Sequence, residues 1–170
     1  MIENLEDFFY HIDLEFTFID DIYTELNKAE WYTSKHRQCR ADISKDLRFL
    51  IQNVMPFKID DAGFFKNEPG WDYGIHKDSK RFAAVNMLMV ENSNNFCAFV
   101  YNNNLKNKEL IPYAKNKLVL LNTKQFHSVS NNSKTDVRYL LSLGSTEESF
   151  ESVKNKFKKD AMYKNRIHLD

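Results

Sequence analysis

A mainly β fold, two antiparallel sheets stacked as a jelly roll and flanked by helices, is predicted by three features of the sequence. Between Phe57 and Gly144, short stretches rich in Val, Phe, Tyr and Leu alternate with clusters of Asn, Lys, Asp and Gly, the texture of many strands joined by turns. No long helical pattern separates those stretches, which argues against a parallel, doubly wound sheet and for a double-sheet jelly roll. Helical periodicity is confined to the ends. The 170 residues therefore read as one domain with a helical front (1–56), a jelly-roll core (57–144) and a closing helix (145–170).

Thr17-Phe18-Ile19-Asp20 has the form of a capping box, and Phe18, Ile22, Leu26 and Ala29 recur at helical spacing, which predicts a first helix from Phe18 to Lys28. Ile43, Leu47, Leu50, Ile51 and Val54 line one face of a second helix that Pro56 stops. Strands are expected over Phe57 to Phe65, Tyr73 to His76, Phe82 to Val90, Asn95 to Tyr101, Lys117 to Leu121, His127 to Ser130 and Val137 to Leu143. Ser145-Thr146-Glu147-Glu148 is a second capping box, followed by Phe150, Val153, Phe157 and Ala161 on one face of a helix whose other face is lysine-rich and reads as solvated.

Composition narrows the function classes. The chain carries 24 basic and 24 acidic side chains, so its net charge gives no case for nucleic acid or an anionic membrane as partner, and a small or neutral partner fits better. Glycine is scarce and no glycine-rich phosphate loop is present, which disfavours nucleotide-dependent phosphoryl transfer. Cys39 and Cys97 form no Cys-x-x-Cys and read as free thiols in a reducing compartment. No apolar run approaches the ~18 residues of a membrane span, and the acidic start lacks the features of a secretion signal, so a soluble, cytoplasmic protein is expected.

His-x-Asp occurs three times, at His11/Asp13, His76/Asp78 and His168/Asp170, and the tripeptide alone does not choose among them. The first precedes a helix and reads as surface; the last ends the chain and reads as a tail. His76-x-Asp78 sits instead at the end of an expected strand, His127 opens another, and Arg138 lies in the next. Residues one place apart in a strand share a face, so His76 and Asp78 can bind one ion. Two imidazoles and a carboxylate make the facial triad of non-haem iron(II) oxygenases, which leaves coordination positions open for co-substrate and dioxygen. A structural zinc site would close those positions, usually with cysteines this chain does not supply.

The stretch "IHKD…RFAAVNMLM…KLVLLNTKQFHSVSNNSKTDVRYLLSLG" resembles the double-stranded β-helix, a cupin-like jelly roll, of the iron(II)- and 2-oxoglutarate-dependent dioxygenases, over residues 57–144. By position, the resemblance makes His76, Asp78 and His127 the iron ligands. It makes Arg138 the anchor for the distal carboxylate of 2-oxoglutarate, a task suited to a guanidinium fork. Members of the family often carry Ser or Thr two residues after this arginine. Here that position is Leu140, and Ser142, one further step along the same face, is the candidate substitute; Asn86, Tyr73 and Tyr101 are others. The implied reaction consumes O2, oxidatively decarboxylates 2-oxoglutarate to succinate and CO2, and hydroxylates a substrate carbon, with a free amino acid, another small metabolite or a peptide side chain as substrate.

Three further residues are candidates for the substrate. Arg81 reads either as the partner of a substrate carboxylate or as an exposed charge at a strand start. Trp71 and Tyr73 read as pocket wall or core, with one of them assigned to core. Asn86 needs hydrogen-bond partners in an apolar strand, which suits a pocket or a structural pairing. Phe64, Phe65, Phe82, Phe96 and Phe99 are assigned to packing, Cys97 to a small buried apolar position, and His36 to the surface. Two other readings stay open: a non-oxidative metal-bearing jelly roll acting as an isomerase or small-ligand binding module, and a structural β-sandwich whose polar groups never converge.

Overall fold

The computed structural model describes residues 2–33, 38–91 and 96–167, with side chains to residue 161. Its strands are β1 (Phe9–Ile12), β2 (Tyr32–Thr33), β3 (Cys39–Asp42), β4 (Asp61–Asn67), β5 (Ala83–Leu88), β6 (Phe96–Tyr101), β7 (Lys108–Leu110), β8 (Leu118–Leu121), β9 (His127–Asn131) and β10 (Arg138–Ser145). Three α-helices, α1 (Ile19–Asn27), α2 (Lys45–Val54) and α3 (Phe150–Ile167), and a short 3-10 helix over Leu5–Asp7 complete the described elements. A seven-stranded sheet in the order β1-β8-β5-β10-β4-β3-β2 faces a three-stranded sheet in the order β7-β6-β9, and the pairings within both are antiparallel. The jelly roll with flanking helices is the observed architecture.

The large sheet is covered on both faces. Leu141 and Leu143 of β10, Phe64 of β4, Val85 and Met87 of β5 and Leu118 and Leu120 of β8 pack against Ile22 of α1, Leu47 and Ile51 of α2, and Phe150, Val153 and Phe157 of α3. The alternate residues, Leu140, Phe65, Leu88, Val119 and Leu121, pack against Phe96, Ala98 and Val100 of β6 together with Ile111 and Tyr113. Burial on both sides explains why β8 reads as an unbroken apolar "LVLL" rather than an alternating strand. Full burial of one such side chain stabilises the fold by about 1.5–3 kcal/mol.

Several local expectations are corrected. The front third is not mainly helical, because β1 adds to the edge of the large sheet beside β8, and β2 and β3 extend the other edge beyond β4. The Thr17–Asp20 capping box does not form; α1 is preceded by Phe18, which makes no side-chain cap bond. Ser44 caps α2 by accepting from the Leu47 N–H, but Leu50 and Val54, expected on its buried face, are exposed beside Phe49. Phe57 and Ile59 reach the core ahead of β4, where the Gln52 side chain bonds the Phe57 carbonyl and the Ile59 N–H in place of a neighbouring strand. The Ser145–Glu148 box caps a turn at the end of β10, Ser145 Oγ accepting from the Glu148 N–H, and α3 starts a turn later. Lys154 of α3 is buried rather than solvated, its Nζ donating to the Glu6 carbonyl at 2.7 Å and pinning the N-terminal segment to the helix. Phe82 is exposed, under the Lys124 ammonium, instead of packed, and Cys97 is only partly buried. His36, Asn95 and His168/Asp170 lie outside the described residues. Among the described residues, no helix is long and apolar enough to cross a membrane.

Candidate metal centre

Segment 71–78 is not a regular strand, although Tyr73 to His76 is expected as one; it runs along β9 through isolated bridges at Asp72–Ser130 and His76–His127. The second bridge decides the site. His76 and His127 exchange both backbone hydrogen bonds, each N–H donating to the other's carbonyl at 2.9 Å, which sets their side chains opposite one another on one face. The imidazole centroids are 4.2 Å apart. The turn after β8 then fastens the other end of the segment: the Asp78 N–H donates to the Thr123 carbonyl at 2.8 Å, Lys124 Nζ donates to the carbonyls of Asp78 and Ser79, and the Thr123 hydroxyl donates to the Arg81 carbonyl.

Asp78 Oδ1 consequently stands 3.6 Å from His76 Nε2 and 3.9 Å from His127 Nε2. One ligand atom from each of the three residues lies within 4.8 Å of the others, and among the described residues this is the group of His, Cys, Asp and Glu side chains with that property. Each imidazole places Nδ1 against a carbonyl two residues back, His76 on Gly74 O at 3.1 Å and His127 on Gln125 O at 3.0 Å, which suits an Nδ1–H donor and leaves Nε2 as the lone pair. Two nitrogen lone pairs and a carboxylate aimed at one point repel unless a cation sits among them. That is the fit of the donor set to a divalent metal.

The electrostatics agree. Burial drives His127 down from 6.5 to about 4, with the neighbouring His76 acting in the same direction, so at neutral pH its Nε2 is unprotonated. Burial opposes ionisation of Asp78, but His76, which donates to the carboxylate only when its Nε2 carries a proton, and the charge of Arg81 outweigh it and hold the carboxyl at about 2, below 3.8. His11 and Asp13, by contrast, are exposed, with His11 on β1, and do not join the cluster.

Between the sheets lies about 600 Å³ of atom-free space, part of it open to solvent, lined by His76 and His127 and by Asn86, Tyr113, Arg138 and Ser142 among others. Arg138 is 1% exposed, and its Nε and Nη1 have no hydrogen-bond partner; the Asn86 Oδ1 is likewise unpartnered, while its Nδ2 donates to the Tyr113 hydroxyl at 3.2 Å. Burial lowers the affinity of the Arg138 guanidinium for its proton, and Tyr113, whose ring lies 5.4 Å from the guanidinium carbon, partly opposes that effect. A buried cation with idle donors is costly unless an anion completes it.

The remaining candidates divide. Trp71 and Tyr73 both line the cavity, neither is fully buried, and they stack in parallel 5.6 Å apart, with Tyr73 set edge-on to His76 at 4.3 Å. Arg81 turns to Asp78, with Nε and Nη2 each 2.8 Å from Oδ2, and to the Ser142 hydroxyl at 3.1 Å. The Tyr101 hydroxyl pairs with Ser128 at 3.0 Å. Sequence reasoning missed Tyr113, which reaches the cavity from the loop between β7 and β8; its one signal is an aromatic beside Pro112 in an otherwise charged stretch.

No family model and no curated protein matches the sequence. Solved structures do match the fold. A prolyl-4-hydroxylase from Pseudomonas putida aligns at TM-score 0.56 and 12% identity over 85% of this chain and 96% of that one. SnoK, a non-haem α-ketoglutarate-dependent carbocyclase from nogalamycin biosynthesis, aligns at 0.60 and 11% over 82% and 80%. HygX from Streptomyces hygroscopicus, with nickel, 2-oxoglutarate and hygromycin B bound, aligns at 0.57 and 8% over 85% and 86%. The chain shares the fold of these enzymes. At these identities the likeness speaks for the fold, and the chemistry has to be argued from the side chains.

Proposed function

We propose that the chain is an iron(II)- and 2-oxoglutarate-dependent dioxygenase that hydroxylates a small molecule, such as a free amino acid, or a peptide side chain. The observation that carries this reading is Arg138: fully buried, with two idle donors, in the same cavity that both imidazoles of the His-Asp-His cluster line. A ligand that completes it must be anionic at one end and metal-chelating at the other, which describes a dicarboxylic keto acid. His76, Asp78 and His127 would hold iron(II), and Arg138 the far carboxylate, with Asn86 Oδ1 and the Tyr113 and Ser142 hydroxyls as the remaining polar groups. The bound iron and keto acid supply the oxidation of a C–H bond by O2, with succinate and CO2 as co-products. The protein's part is orientation and exclusion of water: the apolar wall of Phe65, Ala98, Ile111, Leu121 and Leu140 encloses the cavity, and Trp71 and Tyr73 flank the side where a substrate would approach.

The test is succinate formation from 2-oxoglutarate by the purified chain with iron(II) and O2, with and without a panel of amino acids and peptides. Metal-dependent succinate release is expected, abolished in His127→Ala, and requiring about 100-fold more 2-oxoglutarate in Arg138→Ala, from the loss of charge-assisted hydrogen bonds. A chain that takes up metal but yields no succinate under every condition would favour a non-oxidative metal-bearing jelly roll instead.

A further inference from the structure

Arg81 is a candidate for binding a substrate carboxylate, yet each of its three guanidinium nitrogens already has a protein partner. Nε and Nη2 each lie 2.8 Å from Asp78 Oδ2, and Nη1 donates to Ser142 Oγ at 3.1 Å. The carboxylate of Asp78 is thereby divided: Oδ1 faces the two imidazoles, and Oδ2 faces the guanidinium. We infer that Arg81 is a positioning residue for the metal centre, holding Asp78 to a single ligand atom. The inference rests on the metal-site reading above.

Three further observations support it. Arg81 is part of an alternating chain of charge, since its Nη1 lies 3.7 Å from Asp61 Oδ2, and Asp61 Oδ1 is gripped by Arg40 Nη2 at 2.8 Å. The backbone has been cleared for both arginines. A Cβ on Gly144 of β10 would stand 2.6 Å from Arg81 Cδ, and one on Gly63 of β4 would stand 2.9 Å from Arg40 Nε. Half of the chain's four glycines therefore lie where these two side chains cross the sheet. Finally, Arg81 is fixed at its backbone too, by the bond from the Thr123 hydroxyl to its carbonyl at 2.7 Å.

The consequence is a matter of counting positions around an ion. With two N–H donors on Oδ2, that oxygen's lone pairs are spent, and Asp78 can offer Oδ1 alone. Two imidazoles and one oxygen leave three positions of an octahedron free, enough for a chelating keto acid and one further ligand. A carboxylate released from Arg81 can chelate through both oxygens and close one of the three. The effect of Arg81 is thus on the number of open positions rather than on whether metal binds.

The test uses the full chain with cobalt(II) alone as probe, then with 2-oxoglutarate added in the absence of O2. Visible absorption reports the coordination of the cobalt, and calorimetry reports 2-oxoglutarate affinity. In Arg81→Met, cobalt uptake is expected to stay within tenfold of wild type, while the cobalt spectrum changes and 2-oxoglutarate affinity falls at least tenfold. Arg81→Lys, which keeps the charge but offers no fork, and Gly144→Ala, which displaces the Arg81 stem, should fall between. An unchanged spectrum and unchanged affinity in Arg81→Met overturn the inference; if that variant does not fold, the same result in Arg81→Lys overturns it. Failure of the wild type to take up cobalt at all is a separate outcome, which sinks the metal-site reading and this inference with it.

Discussion

Neighbouring residues of β10 belong to two different chemistries. Leu141 and Leu143 point toward the helices, into a predominantly apolar core, whereas Arg138 and Ser142 point between the sheets, where the lining includes two imidazoles, an amide and a tyrosine hydroxyl. The same strand, with the same hydrogen-bond partners on both sides, supplies stability on one face and a cation without protein partners for its Nε and Nη1 on the other. The pleat makes this separation possible: because side chains alternate, a binding site can be built into a core strand without removing any residue from the core behind it.

Substitutions on the two faces should therefore differ in sign. Leu141→Ala is expected to cost about 2–5 kcal/mol of stability in urea unfolding, leaving metal uptake intact in the folded fraction. The next effect lies at the cavity side and depends on pH. His127 has a folded-state value near 4 against 6.5 when unfolded, so the unfolded chain binds more protons between those limits. Its stabilising contribution, about 3 kcal/mol, is complete above pH 6.5 and lost as pH falls toward 4. Asp78, held at about 2 against 3.8, adds a second loss below pH 3.8. Urea midpoints of metal-free protein between pH 7 and 4 should show the upper slope in wild type and not in His127→Gln. Smallest is Arg138→Met, which removes a buried charge with idle donors and should raise stability by about 1–4 kcal/mol without ligand. Addition of 2-oxoglutarate to metal-loaded protein should then raise the melting temperature of wild type but not of Arg138→Met. A destabilised Arg138→Met would mean the guanidinium is structural, and the contrast between the faces would fail.

The inner architecture was legible because β4, β5, β8 and β10 are long or strongly apolar runs between clear turn signals. The edges were not. β1 has only four residues, two per face, with exposed His11 among them, too short to outweigh the helical pattern that follows. Of the site, His76, Asp78, His127 and Arg138 could be named because strand spacing and a family resemblance point to the same positions. The partner of Arg81 could not be named, since a guanidinium that doubles back on the aspartate three residues earlier looks no different in sequence from one that reaches for a ligand. Tyr113 was invisible for a related reason: it enters the cavity from a loop, where no periodicity marks which way a side chain turns.

The segment carrying His76 and Asp78 has an uneven foundation. Along β9 it is joined by isolated bridges instead of a continuous ladder, while His127 stands in β9 itself, the edge strand that pairs regularly with β6 in the second sheet. An ion shared between them would act as a rivet joining that segment to the second sheet, so that hydrogen exchange at residues 72–78 should slow when the metal is loaded.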